Sequence, residues 1–227
     1  LLAEECGINT LLTNPILCSL SDEYWKRGIG KIQFISDCAG LLYDDKGASP
    51  MPFDQYIDKV KKAIDTGAVA CYIQGETADY YMGKGEPERI AKVLDLIKQN
   101  GILTGIGAHK IETIKACVDT GFQPDFWMKT LHHLNYWSAR HPEEHDNLYC
   151  YSPSETIAYM NTLPQPFIAF KTMAAGAILP KDGFRYAFEN GADFVCAGMY
   201  DFQMVEDVNI ACDILKSDLK RERPWYA

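Results

Sequence analysis

The sequence has 227 residues, of which 47% are hydrophobic and 23% charged, and its formal net charge is −9. This length suits one domain with a single core, and the composition excludes a mainly disordered chain. Lysine and arginine form no basic stripe, which argues against nucleic acid or an anionic membrane as a partner. No apolar run approaches the roughly 18 residues of a membrane span. A small-molecule ligand is therefore the expected partner, and the sequence leaves the oligomeric state open.

The eight cysteines contain no CxxC pair, and two of them, Cys71 and Cys196, lie in apolar strand candidates. We interpret all eight as reduced thiols, which predicts a reducing compartment and the cytoplasm by default. The chain opens with "LLAEECGINT", a helix end that runs into a strand without a start signal. We therefore expect residues upstream of Leu1, and a signal peptide among them remains open.

Seven short and nearly continuous apolar runs predict strands that are buried on both faces of a parallel sheet. They cover residues 8–14, 31–36, 68–74, 102–108, 125–130, 166–172 and 193–199. Segments with helical periodicity fill the intervals and commonly end on a glycine just before the next strand. They cover residues 53–67, 87–101, 111–121, 152–163 and 182–191.

This alternation predicts an α/β fold, specifically a parallel (β/α)8 TIM barrel. A doubly wound sheet is the alternative, but seven strands plus one upstream make the eight that a barrel needs. We expect residues 1–227 to form a single domain containing strands 2 to 8, with the first βα unit missing. The longest irregular stretch, His132–Tyr151, is predicted to be a functional loop.

Ionisable side chains follow the apolar runs at the carboxyl ends of the strands, where such barrels carry their active sites. The candidate catalytic residues are Asp37, Glu76, His109, Lys129, His132, Lys171 and Asp201. Burying a lysine at the end of an apolar strand is costly unless the amine is paired or used. Lys129 and Lys171 are therefore either Schiff-base nucleophiles, general bases or electrostatic stabilisers, or else structural ammonium groups paired with nearby carboxylates.

All five histidines lie between residues 109 and 145. His109 shares a strand face with Gly105 and Gly107, which leave space beneath it, so it either faces the barrel mouth or simply caps a strand. A metal bound by Glu76, His109 and His132 is a further alternative. No HxH or HExxH motif supports that set, and we predict no metal.

Several stretches, in matching order over nearly the whole chain, resemble the aldo-keto reductase superfamily. They are "AEECGINTLLTNP", "LDLIKQNGILTGIGAHKIETIKACVDTG", "PFIAFKTMAAGAI" and "FVCAGMYDFQMVEDV". The resemblance implies a TIM barrel and a nicotinamide coenzyme. It suggests Phe170, Ala175, Gly176 and Gly198 as cofactor-binding residues, with Phe170 at the position of an aromatic that stacks on the nicotinamide.

The family's catalytic tetrad is changed at all four positions in this sequence. The family's Asp corresponds to Leu12, and no tyrosine is present near the position of its Tyr. The family's Lys corresponds to Asp37, and its His corresponds to Gln74 or Gly75. No arginine follows Gly198 to bind a 2′-phosphate, and the expected Glu-Asn pair reads Glu206-Asp207. The cofactor is therefore unknown, and the missing Arg and Asn weaken the case for NADP.

We hypothesise an enzyme on an aldo-keto-reductase-like barrel that acts on a small polar carbonyl or sugar-type substrate without the usual tetrad. Its ancestry is oxidoreductase-like, and its present reaction class is open. A narrower likeness of "DFWMKT" and "AFKTMAAGAI" to deoxyribose-phosphate aldolase supports one alternative, a Schiff-base lyase that uses Lys129 or Lys171. A metal-dependent hydrolase or isomerase is the second alternative, and a non-catalytic binding protein the third.

Overall fold

The structure is a computed structural model that describes residues 1–226, apart from the side chains of residues 18 and 19. The chain forms two compact units. The first comprises residue 1, residues 3–108 and residues 112–125. The second comprises residue 2, residues 109–111 and the chain from residue 126 onward.

The first unit contains four parallel strands, a hairpin and six helices. The helices are α1 (Leu2–Glu5), α2 (Cys18–Lys26), α3 (Phe53–Ile64), α4 (Gly75–Lys84), α5 (Pro87–Gln99) and α6 (Ile111–Asp119), and a 3-10 turn spans Pro15–Leu17. The strands are β1 (Thr10–Thr13), β2 (Gln33–Cys38), the hairpin strands β3 (Leu41–Asp44) and β4 (Gly47–Pro50), β5 (Ala70–Ile73) and β6 (Leu103–Ala108). Parallel pairing joins β1 to β2, β2 to β5 and β5 to β6.

Helical periodicity explains how the first unit is packed. In α5, Pro87 occupies the first turn, and Ile90, Val93 and Ile97 form one buried stripe. Proline suits that turn because its missing N–H would have no intrahelical partner, and the three-, four- and seven-residue spacings place the apolar side chains on one face. All four residues of β5 and five of the six residues of β6 are buried, as predicted for strands covered on both faces. In β1 only Thr13 is buried, and in β2 buried residues alternate with partly exposed or exposed ones, so the prediction is wrong for these two strands.

The second unit contains three parallel strands and three helices. The strands are β7 (Phe126–Thr130), β8 (Phe167–Phe170) and β9 (Phe194–Cys196), paired in that order. The helices are α7 (Pro153–Met160), α8 (Pro180–Glu189) and α9 (Met204–Lys216), and 3-10 turns span Trp137–Arg140, Ala174–Gly176 and Asp201–Gln203. Phe184 and Phe188 of α8 pack with Ile214 of α9 in a buried cluster.

The C-terminal segment is fixed to this unit by a buried ion network. Arg221 and Arg223 both contact the carboxylate of Asp193, at 2.7 and 2.6 Å. Arg223 also donates hydrogen bonds to the backbone oxygens of Leu163 and Gln165. The tail is therefore an ordered, structural part of the second unit.

Each of the seven predicted strands coincides with an observed one, and the predicted αβ joints are also present. The glycines that end helices before strands all have positive φ, from 72° to 103°, and are Gly7, Gly67, Gly101, Gly121 and Gly191. The hairpin of β3 and β4 was not predicted. The seven cysteines whose side chains are described are all free thiols. Within residues 1–226, no helix has the length and apolar character needed to cross a membrane.

Candidate functional site

A cavity of about 810 Å³ lies in the second unit. Its wall is formed by the carboxyl ends of β8 and β9, the segment that follows β8, and the first turn of α9. The four residues predicted to bind a cofactor all line it: Phe170, Ala175, Gly176 and Gly198. Their role in binding stays a prediction, but the structure brings them together around one space.

The wall segment after β8 has an unusual backbone. Lys171, Ala174 and Ala175 have φ values of 55°, 44° and 55°, in the left-handed region. That conformation brings Cβ close to a carbonyl oxygen and costs about 1–2 kcal/mol per residue for side chains other than glycine. Strain of this kind is commonly found at ligand-binding and active sites. Lys171 and Ala175 line the cavity, and Ala174 is buried directly behind them in the chain, so the strain indicates a functional segment.

Thr172 is the buried polar residue of this segment. It is 1% exposed and lines the cavity, and within the described residues its hydroxyl oxygen has no hydrogen-bond partner. An unsatisfied buried hydroxyl costs free energy, which a hydrogen-bonding ligand in the cavity would recover. Gly176 adds open space beside it, because a Cβ there would meet no atom within 4 Å.

Lys171 gives this wall a positive charge. Its Nζ lies 3.6 Å from the centroid of the Tyr149 ring, and both residues line the cavity. The ring face attracts the ammonium group through its quadrupole. Tyr149 thus holds a cation at a wall where a phosphate or a developing oxyanion could bind.

Lys129 and His109 form a second group next to this wall. Lys129 is 1% exposed, and its Nζ donates hydrogen bonds to the backbone oxygens of His109, at 2.7 Å, and Thr130, at 3.0 Å. The His109 ring contacts the Phe170 ring edge-on, with centroids 5.2 Å apart. Lys129 therefore fixes the backbone of a histidine whose ring touches the cavity wall.

His132 has structural contacts at both ring nitrogens. Its Nε2 accepts hydrogen bonds from the backbone N–H groups of Tyr149 and Cys150, at 3.1 and 2.9 Å, and its Nδ1 faces the carbonyl oxygen of His133 at 3.0 Å. These partners require the neutral tautomer with hydrogen on Nδ1. Burial, the largest cause, lowers the pKa of His132 below 6.5. The ring therefore fastens the loop it belongs to and has no lone pair left for a metal.

Asp37 and Glu76 lie in the first unit. Burial raises the pKa of Asp37, although nearby Lys59 opposes the change, and its Oδ1 has no hydrogen-bond partner within residues 1–226. Glu76 accepts a hydrogen bond from the Tyr43 hydroxyl, and burial followed by this bond raises the pKa of Tyr43 to about 12. Both carboxyl groups stay candidate catalytic residues.

Asp201 is a predicted catalytic residue that lies outside the lining of the cavity. It is exposed, does not line the cavity, and its Oδ1 accepts a hydrogen bond from the N–H of Phe202 at 2.9 Å. This contact lies within the 3-10 turn that leads into α9. Asp207, six positions later, is the acid on the cavity wall, and sequence reasoning treated it only as a departure from a family pattern.

A metal site has little support in the described part of the chain. One trio there has ligand atoms close enough to share an ion, namely His141, Glu143 and Glu144. Both glutamates are exposed. Glu76, His109 and His132 were the alternative set of metal ligands. His132 cannot serve as a ligand, because both of its ring nitrogens are hydrogen-bonded to backbone groups.

The parallel strands with helices between them define the class of βα barrels, and the cavity lies at the carboxyl ends of β8 and β9. Among solved structures, the chain is similar to a "putative aldo-keto reductase" from Pseudomonas aeruginosa, with a TM-score of 0.65 and 16% identity over 94% of this chain and 81% of that one. The predicted TIM-barrel fold is confirmed, and the resemblance to aldo-keto reductases is confirmed at the level of fold.

Other barrels are also similar. An aldolase named QR15 matches with a TM-score of 0.52 and 14% identity, over 95% of this chain and 85% of its own. A 3-keto-L-gulonate-6-phosphate decarboxylase from Vibrio cholerae matches with a TM-score of 0.51 and 11% identity, over 94% and 87%. No protein-family model and no curated protein matches the sequence. At these identities the likenesses show the fold alone.

The nicotinamide coenzyme implied by the fold can be tested against the cavity wall. Lys171, the Thr172 hydroxyl and the open space at Gly176 fit a phosphate-bearing group, and Phe170 offers an aromatic ring. Asp207 does not fit an additional phosphate. When bound, such a coenzyme would supply hydride. The segment after β8 thus fits a phosphate-bearing cofactor, whereas the Asp207 side of the cavity does not fit a second phosphate group.

Proposed function

We propose that the protein is an enzyme on an aldo-keto-reductase-like barrel that reduces a small polar carbonyl compound, such as a sugar, without the usual tetrad. The observation that carries this proposal is the cavity wall built by Phe170, Lys171 and Thr172 on a strained backbone. Known aldo-keto reductases supply the precedent for the reaction class. A small-molecule substrate remains the expected partner.

Each residue near the wall has a distinct task in this proposal. The Lys171 ammonium group stabilises the negative charge that develops on the carbonyl oxygen. His109 donates the proton to that oxygen in place of the missing tyrosine. Lys129 is a positioning residue, because its Nζ is bonded to the His109 backbone oxygen at 2.7 Å.

Turnover of small hydroxyaldehydes and keto acids, with NADH and with NADPH, tests the proposal. Lys171→Met should lower kcat by about 100-fold, the usual effect of removing one oxyanion-stabilising group. Lys181→Met is the matched control, because Lys181 is an exposed lysine on α8. His109→Gln should remove one limb of the pH–rate profile. Absence of turnover with every carbonyl, or equal activities for the two lysine variants, would contradict the proposal.

A Schiff-base lyase is the second candidate, favoured by the almost complete burial of Lys129 at a strand end. The aldolase among the similar barrels is a precedent for this chemistry. Borohydride reduction in the presence of pyruvate or dihydroxyacetone should then attach the substrate to a peptide that contains Lys129. Lys129→Arg keeps the charge and should abolish the adduct. Unmodified protein after reduction would exclude this candidate.

A further inference from the structure

One face of strand β2 in the first unit is accessible, although parallel strands are normally covered on both faces. Phe34 and Cys38 are fully buried on the helix side, where the Tyr56 hydroxyl of α3 donates a hydrogen bond to the carbonyl oxygen of Cys38 at 2.9 Å. Side chains alternate along a strand, so Ile35 and Asp37 point to the opposite face, and both are partly exposed. A ligand can therefore reach this face.

Asp37 is the ionisable residue of this face, and its carboxyl group is incompletely satisfied. Within residues 1–226, its Oδ1 is shut off from solvent without a hydrogen bond, and the carboxylate forms no ion pair. Nearby Lys59 donates its hydrogen bond to the carbonyl oxygen of Ala39 instead, at 2.9 Å. A carboxylate withdrawn from water without a partner is costly, and rotation about its last side-chain bond can turn either oxygen towards a ligand. The group thus calls for a donor from outside the described chain.

Two apolar side chains continue the same face beside Asp37. Ile35 precedes it by two positions in β2, and a strand rises about 3.3 Å per residue, so the two residues lie about 7 Å apart along the strand. Leu12 of β1 is the register partner of Ile35 and shares its face. Both apolar residues are partly exposed. A ligand that contacts the carboxylate can therefore cover aliphatic surface with the rest of its carbon skeleton.

The charge of Asp37 determines which donor fits best. Burial, the larger effect, raises the pKa of Asp37, and nearby Lys59 lowers it, so the surroundings on balance disfavour the ionised carboxylate. A hydroxyl group would supply a hydrogen bond alone, whereas a primary ammonium group supplies a hydrogen bond and the missing counter-charge. The formal net charge of −9 also favours the approach of a cation. The carboxylate and its apolar neighbours therefore suit an aliphatic amine.

We propose that Asp37, Ile35 and Leu12 form a binding site for a small aliphatic primary amine. The ammonium group donates a hydrogen bond to the Asp37 carboxylate, and the carbon chain packs on the side chains of Ile35 and Leu12. All three residues belong to the first unit. The inference goes beyond the proposed function and does not depend on it, because the amine binds whether or not the protein reduces a carbonyl compound.

An NMR titration with butylamine and 1-butanol tests the role of charge, because the two probes share one carbon chain. The wild-type protein should bind butylamine at least about tenfold more tightly than 1-butanol, the effect of one hydrogen bond to a charged group. Asp37→Asn keeps the shape, removes the charge, and should reduce this ratio to about one. Asp45→Asn is the matched control, because it removes an exposed charge from the turn between β3 and β4 and should leave the ratio unchanged. Thermal melting checks that both variants are folded.

Two further measurements on the wild-type protein test the apolar contact and the location. Methylamine has the same charge without the chain and should bind at least about fivefold more weakly than butylamine, because each buried CH2 group strengthens binding. The carbon-13 signal of the Asp37 carboxyl group, identified by its loss in Asp37→Asn, should titrate at a lower pH when butylamine is bound. Equal binding of butylamine and 1-butanol, an unchanged ratio in Asp37→Asn, a carboxyl signal that ignores the amine, or no binding of either probe would overturn the inference.

Discussion

Replacing Asp193 with Asn should lower the free energy of unfolding by about 3–5 kcal/mol, the range for breaking a buried ion pair. The Asp193 side chain is fully buried and binds Arg221 and Arg223, whose side chains are 5% and 1% exposed. Its Oδ1 also accepts the N–H of Tyr226 at 3.1 Å, and its Oδ2 accepts the N–H of Phe167 at 2.9 Å. Every oxygen contact therefore has a buried or partly buried donor.

The magnitude follows from these contacts. An asparagine places an NH2 group where one carboxylate oxygen stood, so two donors lose their acceptor whichever way the amide turns. Each buried unsatisfied donor costs about 1–3 kcal/mol, and a charged one costs more. The two guanidinium groups also lose their shared counter-charge. Together these losses give a few kcal/mol, in agreement with the range for broken buried ion pairs.

Urea unfolding followed by tryptophan fluorescence measures this loss of unfolding free energy. Trp225 is a suitable reporter because the centroid of its ring lies 3.8 Å from the Arg221 guanidinium carbon. Glu189→Gln is the control, because it removes a partly exposed pair with Arg185 whose side chains are 27% and 36% exposed. Such a pair contributes at most about 0.5–1 kcal/mol. If Asp193→Asn cost no more than Glu189→Gln, the buried network would not stabilise the tail as argued.

Buried His132 should remain neutral with hydrogen on Nδ1, which nitrogen-detected NMR can check. The pKa of His132 is lowered in the folded protein, so the unfolded chain binds the proton more readily. The contribution of His132 to the free energy of unfolding should therefore be complete above about pH 6.5 and decrease below it. Titration of this ring at its ordinary pKa would contradict the hydrogen-bond assignment. Gly183→Ala should destabilise by about 1–3 kcal/mol, because its Cβ would lie 2.8 Å from a backbone oxygen. Gly83→Ala, in an open helical position, should stabilise by up to about 1 kcal/mol, and chemical denaturation of both tests the difference. Cys196, whose pKa is raised by burial to about 11, should react with iodoacetamide at neutral pH much more slowly than exposed Cys212, and equal labelling in peptide mass spectra would refute this.

The strands were predictable because each is a short apolar run between turn residues. The hairpin of β3 and β4 was not, because its strands carry no such signal: Leu41 is the single buried residue among its eight strand positions. Its pairing depends on local backbone geometry and not on a buried face. Helical periodicity did not predict α9 for a related reason, since its only buried side chains are Asp207 and Ile214.

The candidate site was predictable as a set of strand ends but not as a set of contacts. Phe170 and Lys171 follow directly from the end of an apolar run. The role of His132 depends on backbone N–H groups 17 and 18 positions later, which no local pattern reveals. The same holds for Asp201 and Asp207, because two acids six positions apart differ in burial only through the path of α9.

The left-handed conformation of Ala174 and Ala175 has a consequence for how this protein would respond to selection for heat resistance. Glycine adopts such φ values without steric penalty, and the relief of about 1–2 kcal/mol of strain exceeds the roughly 0.5–1 kcal/mol that glycine costs in unfolded-chain entropy. A library screened for thermal tolerance should therefore accumulate glycine at these two positions. The same change would loosen the cavity wall, so heat resistance and ligand affinity would evolve in opposite directions along this segment.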